Sequence, residues 1–118
     1  MTVIQIEKTT KSSEIIAAFS NQFPYLKIEF FKKLITFEGS LKKNFIKDDF
    51  IIKSEKNIKF ITFEEATLVS ELKNQFYKNF NLSVQIMRKS GKSWIETSFT
   101  DSWSLKKQNQ EAFELSDF

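Results

Sequence analysis

The sequence predicts an α+β fold in which one β-α-β unit occurs twice, and three observations support this. Set against itself at an offset of 57 residues, the chain places Ile4 and Ile6 on Ile61 and Phe63, and Thr10 on Thr67. Further along, Glu14 falls on Glu71, Ile15 on Leu72, Phe19 on Phe76 and Phe23 on Phe80; after a one-residue slip, Leu26, Ile28 and Phe30 fall on Leu82, Val84 and Ile86. Secondly, each copy changes its apolar period from two to about four residues and back, the mark of strand, helix and strand. Thirdly, 118 residues suffice for one domain with a real core and are too few for two. Two such units suggest a ferredoxin-like sheet of four or five strands with two helices on one face, extended by a C-terminal hairpin strand and helix. A pair of ubiquitin-like half-grasps is the main rival, because strand–helix–hairpin order fits it as well.

The elements follow in order. Val3–Glu7 alternates with Ile4 and Ile6 on one face, a short strand. Thr9, Thr10, Ser12 and Ser13 offer N-caps for a helix whose stripe is Ile15, Ile16, Phe19 and Phe23. Pro24 ends it, since the residue before a proline is pushed out of the α region. Tyr25–Phe31 alternates again through Leu26, Ile28 and Phe30. Residues 32–57 read as a connector: Leu34–Phe37 as another strand turned at Glu38-Gly39-Ser40, then Lys42–Lys56 as a loop, a short helix or an irregular strand around Phe45, Phe50, Ile51 and Ile52 that docks some of its Phe and Ile on the domain. The second unit opens with a strand over Lys59–Phe63. Its helix is predicted over Ala66–Phe80 with Val69, Leu72, Phe76 and Phe80 inward, and Thr62-Phe63-Glu64-Glu65 as a capping box. Leu82–Arg88, a turn at Ser90-Gly91 and Ser93–Phe99 form a hairpin. Ser104–Leu115 is the last helix, with Leu105, Ala112 and Phe113 on its buried side. The expected organisation is one domain over 1–118, with repeats 1–31 and 58–88, connector 32–57, and hairpin and helix 89–118.

Composition narrows the function. At 41% hydrophobic and 28% charged residues the chain is globular rather than disordered. Fourteen Phe supply the core, each worth about 1.5–3 kcal/mol when fully buried. The absence of Cys rules out disulfides and thiol nucleophiles, and the absence of His removes the commonest general base and metal ligand. No cofactor, metal or catalytic residue is therefore expected. No apolar run nears the ~20 residues of a membrane span, and the N-terminus begins in a strand pattern without a signal-peptide core. A cytoplasmic location is expected. Residues 1–60 hold eleven Lys against seven acids, whereas residues 61–118 hold seven basic and eight acidic side chains.

Several motifs resolve into structural readings. Ser90-Gly91-Lys92-Ser93 ends like a phosphate loop, but Ile86 stands where the first glycine belongs and a strand follows, so a hairpin turn is expected. The acid pairs Asp48-Asp49, Glu64-Glu65 and Glu111 with Glu114 read as caps and solvated surface. Phe30-Phe31-Lys32-Lys33 mixes rings and cations as single-strand RNA-binding sheets do, without their glycine-containing consensus. The segment Lys89–Asn109 carries both tryptophans, and Trp is enriched at binding hot spots. Partner-binding candidates are Arg88, Lys89, Lys92, Trp94, Trp103, Gln108 and Asn109, with the tryptophans as anchors and the others as a polar rim. The competing reading has Trp94 and Trp103 clamping the last helix to the sheet and Asp101 capping that helix.

Arg88-Lys89-Ser90-Gly91, Trp94-Ile95-Glu96-Thr97 and Thr100-Asp101-Ser102-Trp103-Ser104-Leu105 followed by Gln108-Asn109 resemble the tail of a small uncharacterised bacterial family. The resemblance extends to the Glu71-Leu72…Phe76…Phe80 helix. It implies a shared fold and no catalytic residues. The expected function is a non-catalytic protein-interaction or assembly module, self-association through an open sheet edge included. The alternative is a nucleic-acid-associated regulatory module using the Lys-rich first half.

Overall fold

The computed structural model describes residues 1–35, 38–54 and 57–116, without the side chains of residues 34, 35 and 116. Among the described residues the order is β1 (Thr2–Gln5), α1 (Ser12–Gln22), β2 (Leu26–Ile35), β3 (Leu41–Phe45), β4 (Phe60–Phe63), α2 (Val69–Phe80), β5 (Ser83–Ser90), β6 (Ser93–Glu96), a 3-10 turn (Ser98–Thr100) and α3 (Leu105–Ser116). Each half thus runs strand, helix, strand, strand. The fold is α+β, with six strands in two antiparallel sheets: a ribbon of β1 and β4, and a four-stranded sheet in the order β3-β2-β5-β6.

This is not the strand order of the expected ferredoxin-like sheet, in which the strands flanking each helix share one sheet. β1 and β2 lie in different sheets here, as do β4 and β5. Along β2, β5 pairs with Leu26–Phe31 and β3 with Phe31–Ile35. β1 instead pairs with β4, with Ile4 opposite Ile61, and Glu29 lies opposite Gln85 in the β2–β5 ladder. In both ladders these facing residues are positions matched in the self-alignment.

Helix starts repeat as well. The Thr10 hydroxyl accepts the Glu7 N–H at 2.8 Å, and that of Thr67 accepts the Glu64 N–H at 2.9 Å. The Glu14 carboxylate accepts the Lys11 N–H at 3.1 Å, and that of Glu71 the Leu68 N–H at 2.9 Å. The Thr-x-x-x-Glu signature is thus a helix-start device that satisfies backbone donors outside the helical ladder. It also corrects the sequence reading of α2, which begins at Val69 rather than Ala66; Glu71, not Glu64 or Glu65, is its capping acid. At the other end Asn81 takes φ 54°, the left-handed conformation that closes a helix.

One core holds these parts together. Leu26, Ile28 and Phe30 of β2 and Val84 and Ile86 of β5 face Ile15 and Phe19 of α1 and Leu72 and Phe76 of α2, all buried. Phe30 meets Phe76 edge-on at 5.7 Å, and Phe19 meets Phe63 of β4 at 5.4 Å. The connector is ordered for much of its length. β3 pairs with β2 from Leu41 to Phe45, Ile52 is buried, and Phe50 packs edge-on against Phe30 at 5.2 Å. Ile51, expected to dock, is 48% exposed. Leu34–Phe37 was expected as a further strand, but Leu34 and Ile35 continue β2, and residues 36–37 lie outside the described residues. Ser93–Phe99 is strand only to Glu96, because Thr97 turns inward and bonds the Ile86 carbonyl through both its N–H and its hydroxyl.

Candidate functional site

The four-stranded sheet buries one face beneath the helices. Strand alternation then assigns its other face: Lys43 and Phe45 of β3, Lys27, Glu29, Phe31 and Lys33 of β2, Gln85, Met87 and Lys89 of β5, and Trp94 and Glu96 of β6. A cation strap crosses this face. The Lys43 ammonium donates to Gln85 Oε1 at 2.8 Å and to both carboxylate oxygens of Glu96 at 3.2 Å, and lies 5.4 Å from the Phe31 ring centroid. It so links β3 at one edge to β6 at the other and covers the buried Gln85. Lys27 bonds Glu29 at 3.0 Å and holds its ammonium 4.7 Å from the Trp94 ring centroid.

The seven predicted partner residues do not form one surface. Trp94 and Lys89 are cross-strand neighbours on the open face, and Lys92 sits exposed in the turn beside them. That turn is Gly91-Lys92, with Gly91 at φ 60°, the first central position where such hairpins require glycine. Arg88 points to the other face, where its guanidinium lies 5.9 Å from the Trp103 ring, and Lys107 approaches the same ring at 4.3 Å. Trp103 also caps α2, since its carbonyl accepts the Val69 N–H at 3.0 Å. Trp94 and Trp103 are therefore on opposite sides of the sheet.

Gln108 and Asn109 are both tied by hydrogen bonds within the chain, Gln108 buried and Asn109 half-buried. Gln108 is fully buried and donates to the Thr100 carbonyl at 2.9 Å and to the Thr100 hydroxyl. Asn109 Oδ1 accepts the Tyr25 N–H at 2.9 Å, fixing α3 to the start of β2. A sequence signal for Gln108 exists: it stands three residues after Leu105 and four before Ala112, on their inward stripe. Phe113, expected on that buried side, is 46% exposed, although its ring meets Tyr25 edge-on at 5.4 Å. Asp101 does not cap α3 through its side chain, which pairs with Lys73 at 2.9 Å; the Ser104 hydroxyl accepts the Lys107 N–H at 3.1 Å instead.

Sequence reasoning missed two features. Phe99, expected inside a strand, lies in the 3-10 turn after β6 and is wholly exposed, with Ile95 of β6 also 39% exposed. Asp49 of the connector caps α1: it accepts the Ser13 N–H at 2.9 Å and the hydroxyls of Ser13 and Ser12 at 2.8 Å each. The Ser13 N–H, then the two hydroxyls, hold its carboxyl below the ordinary value of 3.8. No local pattern announces a cap that arrives from a segment 36 residues away.

Among the described residues no cluster of three His, Cys, Asp or Glu is placed to hold a metal, and no helix is long and apolar enough to cross a membrane. Comparison with family models, with curated proteins and with solved structures finds no match for this chain.

Proposed function

We propose that this protein works by binding another protein, or a second copy of itself, at the β6 side of the four-stranded sheet, and not by catalysis. The observation that carries this reading is Phe99, a large apolar side chain fully in solvent in the turn that follows β6, where Ile95 is also exposed and Trp94 half-buried. Burying one Phe contributes about 1.5–3 kcal/mol, so such a residue is a natural anchor for an interface. β6 is an outer strand, and its unpaired backbone offers a template for an added strand. Lys89 and Lys92 would form the cationic rim; Trp103, Arg88, Gln108 and Asn109 take structural parts in this reading. The recurring registers and helix-start hydrogen bonds support a duplicated strand–helix–hairpin unit as the building block. The tail resemblance described above carries a fold expectation only.

The test is capture of partners from the native host by tagged wild type and by Phe99→Asp, at low and high salt, with light scattering for self-association. A protein or second copy retained at high salt by wild type and lost in F99D is the expected result. Equal retention by F99D would overturn the reading. The second reading, a nucleic-acid-associated module, is favoured by Lys27, Lys33 and Lys43 on one face with Phe31 and Trp94. Against it, ammonium groups already sit over both rings, where bases would stack. Nucleic acid retained at low salt and released at high salt would promote it.

A further inference from the structure

A separate cleft of about 630 Å³ opens beside the end of β1, lined among others by Ile6, Lys8, Ile52, Lys53, Ser54 and Lys59. Its floor is apolar, since Ile6 and Ile52 belong to the core, and its walls are cationic. The volume falls within the ~300–1,000 Å³ range of small-molecule sites. The second half shows what this charge pattern lacks. The Ile52 N–H bonds the Thr10 carbonyl as the Leu105 N–H bonds that of Thr67, and the isolated bridges Lys11–Ile51 and Leu68–Ser104 correspond in the same way. Lys53 therefore corresponds to Lys106, and Lys8 to Glu65.

In the second half Lys106 has its acid, Glu65, at 4.0 Å. In the first half that acid is replaced by Lys8, and Lys59 adds a third cation. Among the described lining residues Glu7 is the one acidic side chain, set against Lys8, Lys53 and Lys59. The hydroxyl of Ser54 is not satisfied: its oxygen is buried without a hydrogen-bond partner. Excess cations around an apolar floor, with an idle hydroxyl at the wall, are complementary to an anion attached to a short apolar group.

We propose that this cleft binds a small amphipathic anion, an organic carboxylate or phosphate monoester with a short apolar chain. The anionic head would take the place that Glu65 fills for Lys106 in the second half, and the chain would lie along Ile6 and Ile52. The test is titration of the ¹⁵N-labelled protein with octanoate, octanol and inorganic phosphate, followed by amide shifts. Octanoate should shift the amides of Lys8, Thr9, Lys53, Ser54 and Lys59 saturably, and the other two probes should bind about tenfold more weakly or worse. Lys8→Glu, which copies the second half, and Lys59→Gln should each weaken octanoate about tenfold while leaving the melting temperature in place. Equal binding of octanol would reduce the cleft to a greasy surface, and equal binding of phosphate would reduce it to diffuse positive charge. Either result overturns the proposal, as does unchanged octanoate affinity in both variants.

Discussion

Lys43 shows how one exposed-looking side chain serves a buried one. The Gln85 amide oxygen is buried in the middle of a strand; Lys43 is its close donor, while the Ser98 hydroxyl stands 3.5 Å away. Lys43→Met keeps most of the aliphatic stem and leaves that oxygen short of a donor, at a cost of about 1–3 kcal/mol. Urea unfolding should show this as a lower midpoint with an unchanged slope. The ion pair with Glu96 adds little, because both side chains are over a third exposed and solvent screens them; Glu96→Gln should therefore change the midpoint far less. Asp49 acts in the opposite regime, as a charge in solvent whose worth depends on pH. Its folded carboxyl titrates below its ordinary 3.8, so its stabilising effect is present above that value and is lost as pH falls through the folded value. Asp49→Asn should be less stable than wild type near neutral pH, and the gap should close under acid, as read by thermal melts across pH.

The helix starts can be tested in matched pairs. Thr10 and Thr67 make the same hydrogen bond to the N–H three residues before them, and Glu14 and Glu71 make the same bond to the N–H of the residue preceding their helix. Glu14→Ala and Glu71→Ala should each cost about 0.5–2 kcal/mol, the range of a lost cap. Similar losses from the two would support a duplicated unit, and a large difference would count against it. Among the described residues α3 has no counterpart helix in the first half, yet it is firmly tied. Leu105 is fully buried, and Leu105→Ala should cost about 2–5 kcal/mol. The tryptophans should separate in the same measurement. Trp103→Ala removes a ring contacted by two cations while keeping the backbone carbonyl that accepts the Val69 N–H, and Trp94→Ala should perturb stability less.

At the scale of the molecule, the halves are interlocked. β1 pairs with β4 and β2 with β5, so both central ladders join one half to the other. A separated half would leave those backbone groups and the Phe-rich core in water. Thermal unfolding should therefore be one transition, with tryptophan fluorescence and far-ultraviolet circular dichroism giving one midpoint. Two separated midpoints would show that the halves unfold independently.

Legibility in the sequence follows the range of the interactions. The helices, the strands of the two repeats, the inward stripes Ile15–Phe19 and Leu72–Phe76, the Gly91 turn and the internal match are written in local periodicity and in residues with special backbone geometry, so the chain alone displays them; β3, polar between Leu41 and Phe45, was not read as a strand. Residues whose role depends on a distant partner were misread. Asp49 looked like solvated surface and is a cap; Asn109 was read without its bond to Tyr25, 84 residues away. Trp94 and Trp103, close in sequence, proved to lie on opposite faces. Sheet membership was beyond local pattern for the same reason. Alternation says that a strand has an inner face, but which strand satisfies its hydrogen bonds is set by partners distant in the chain: β1 finds its ladder on β4, and β2 divides its length between β5 and β3.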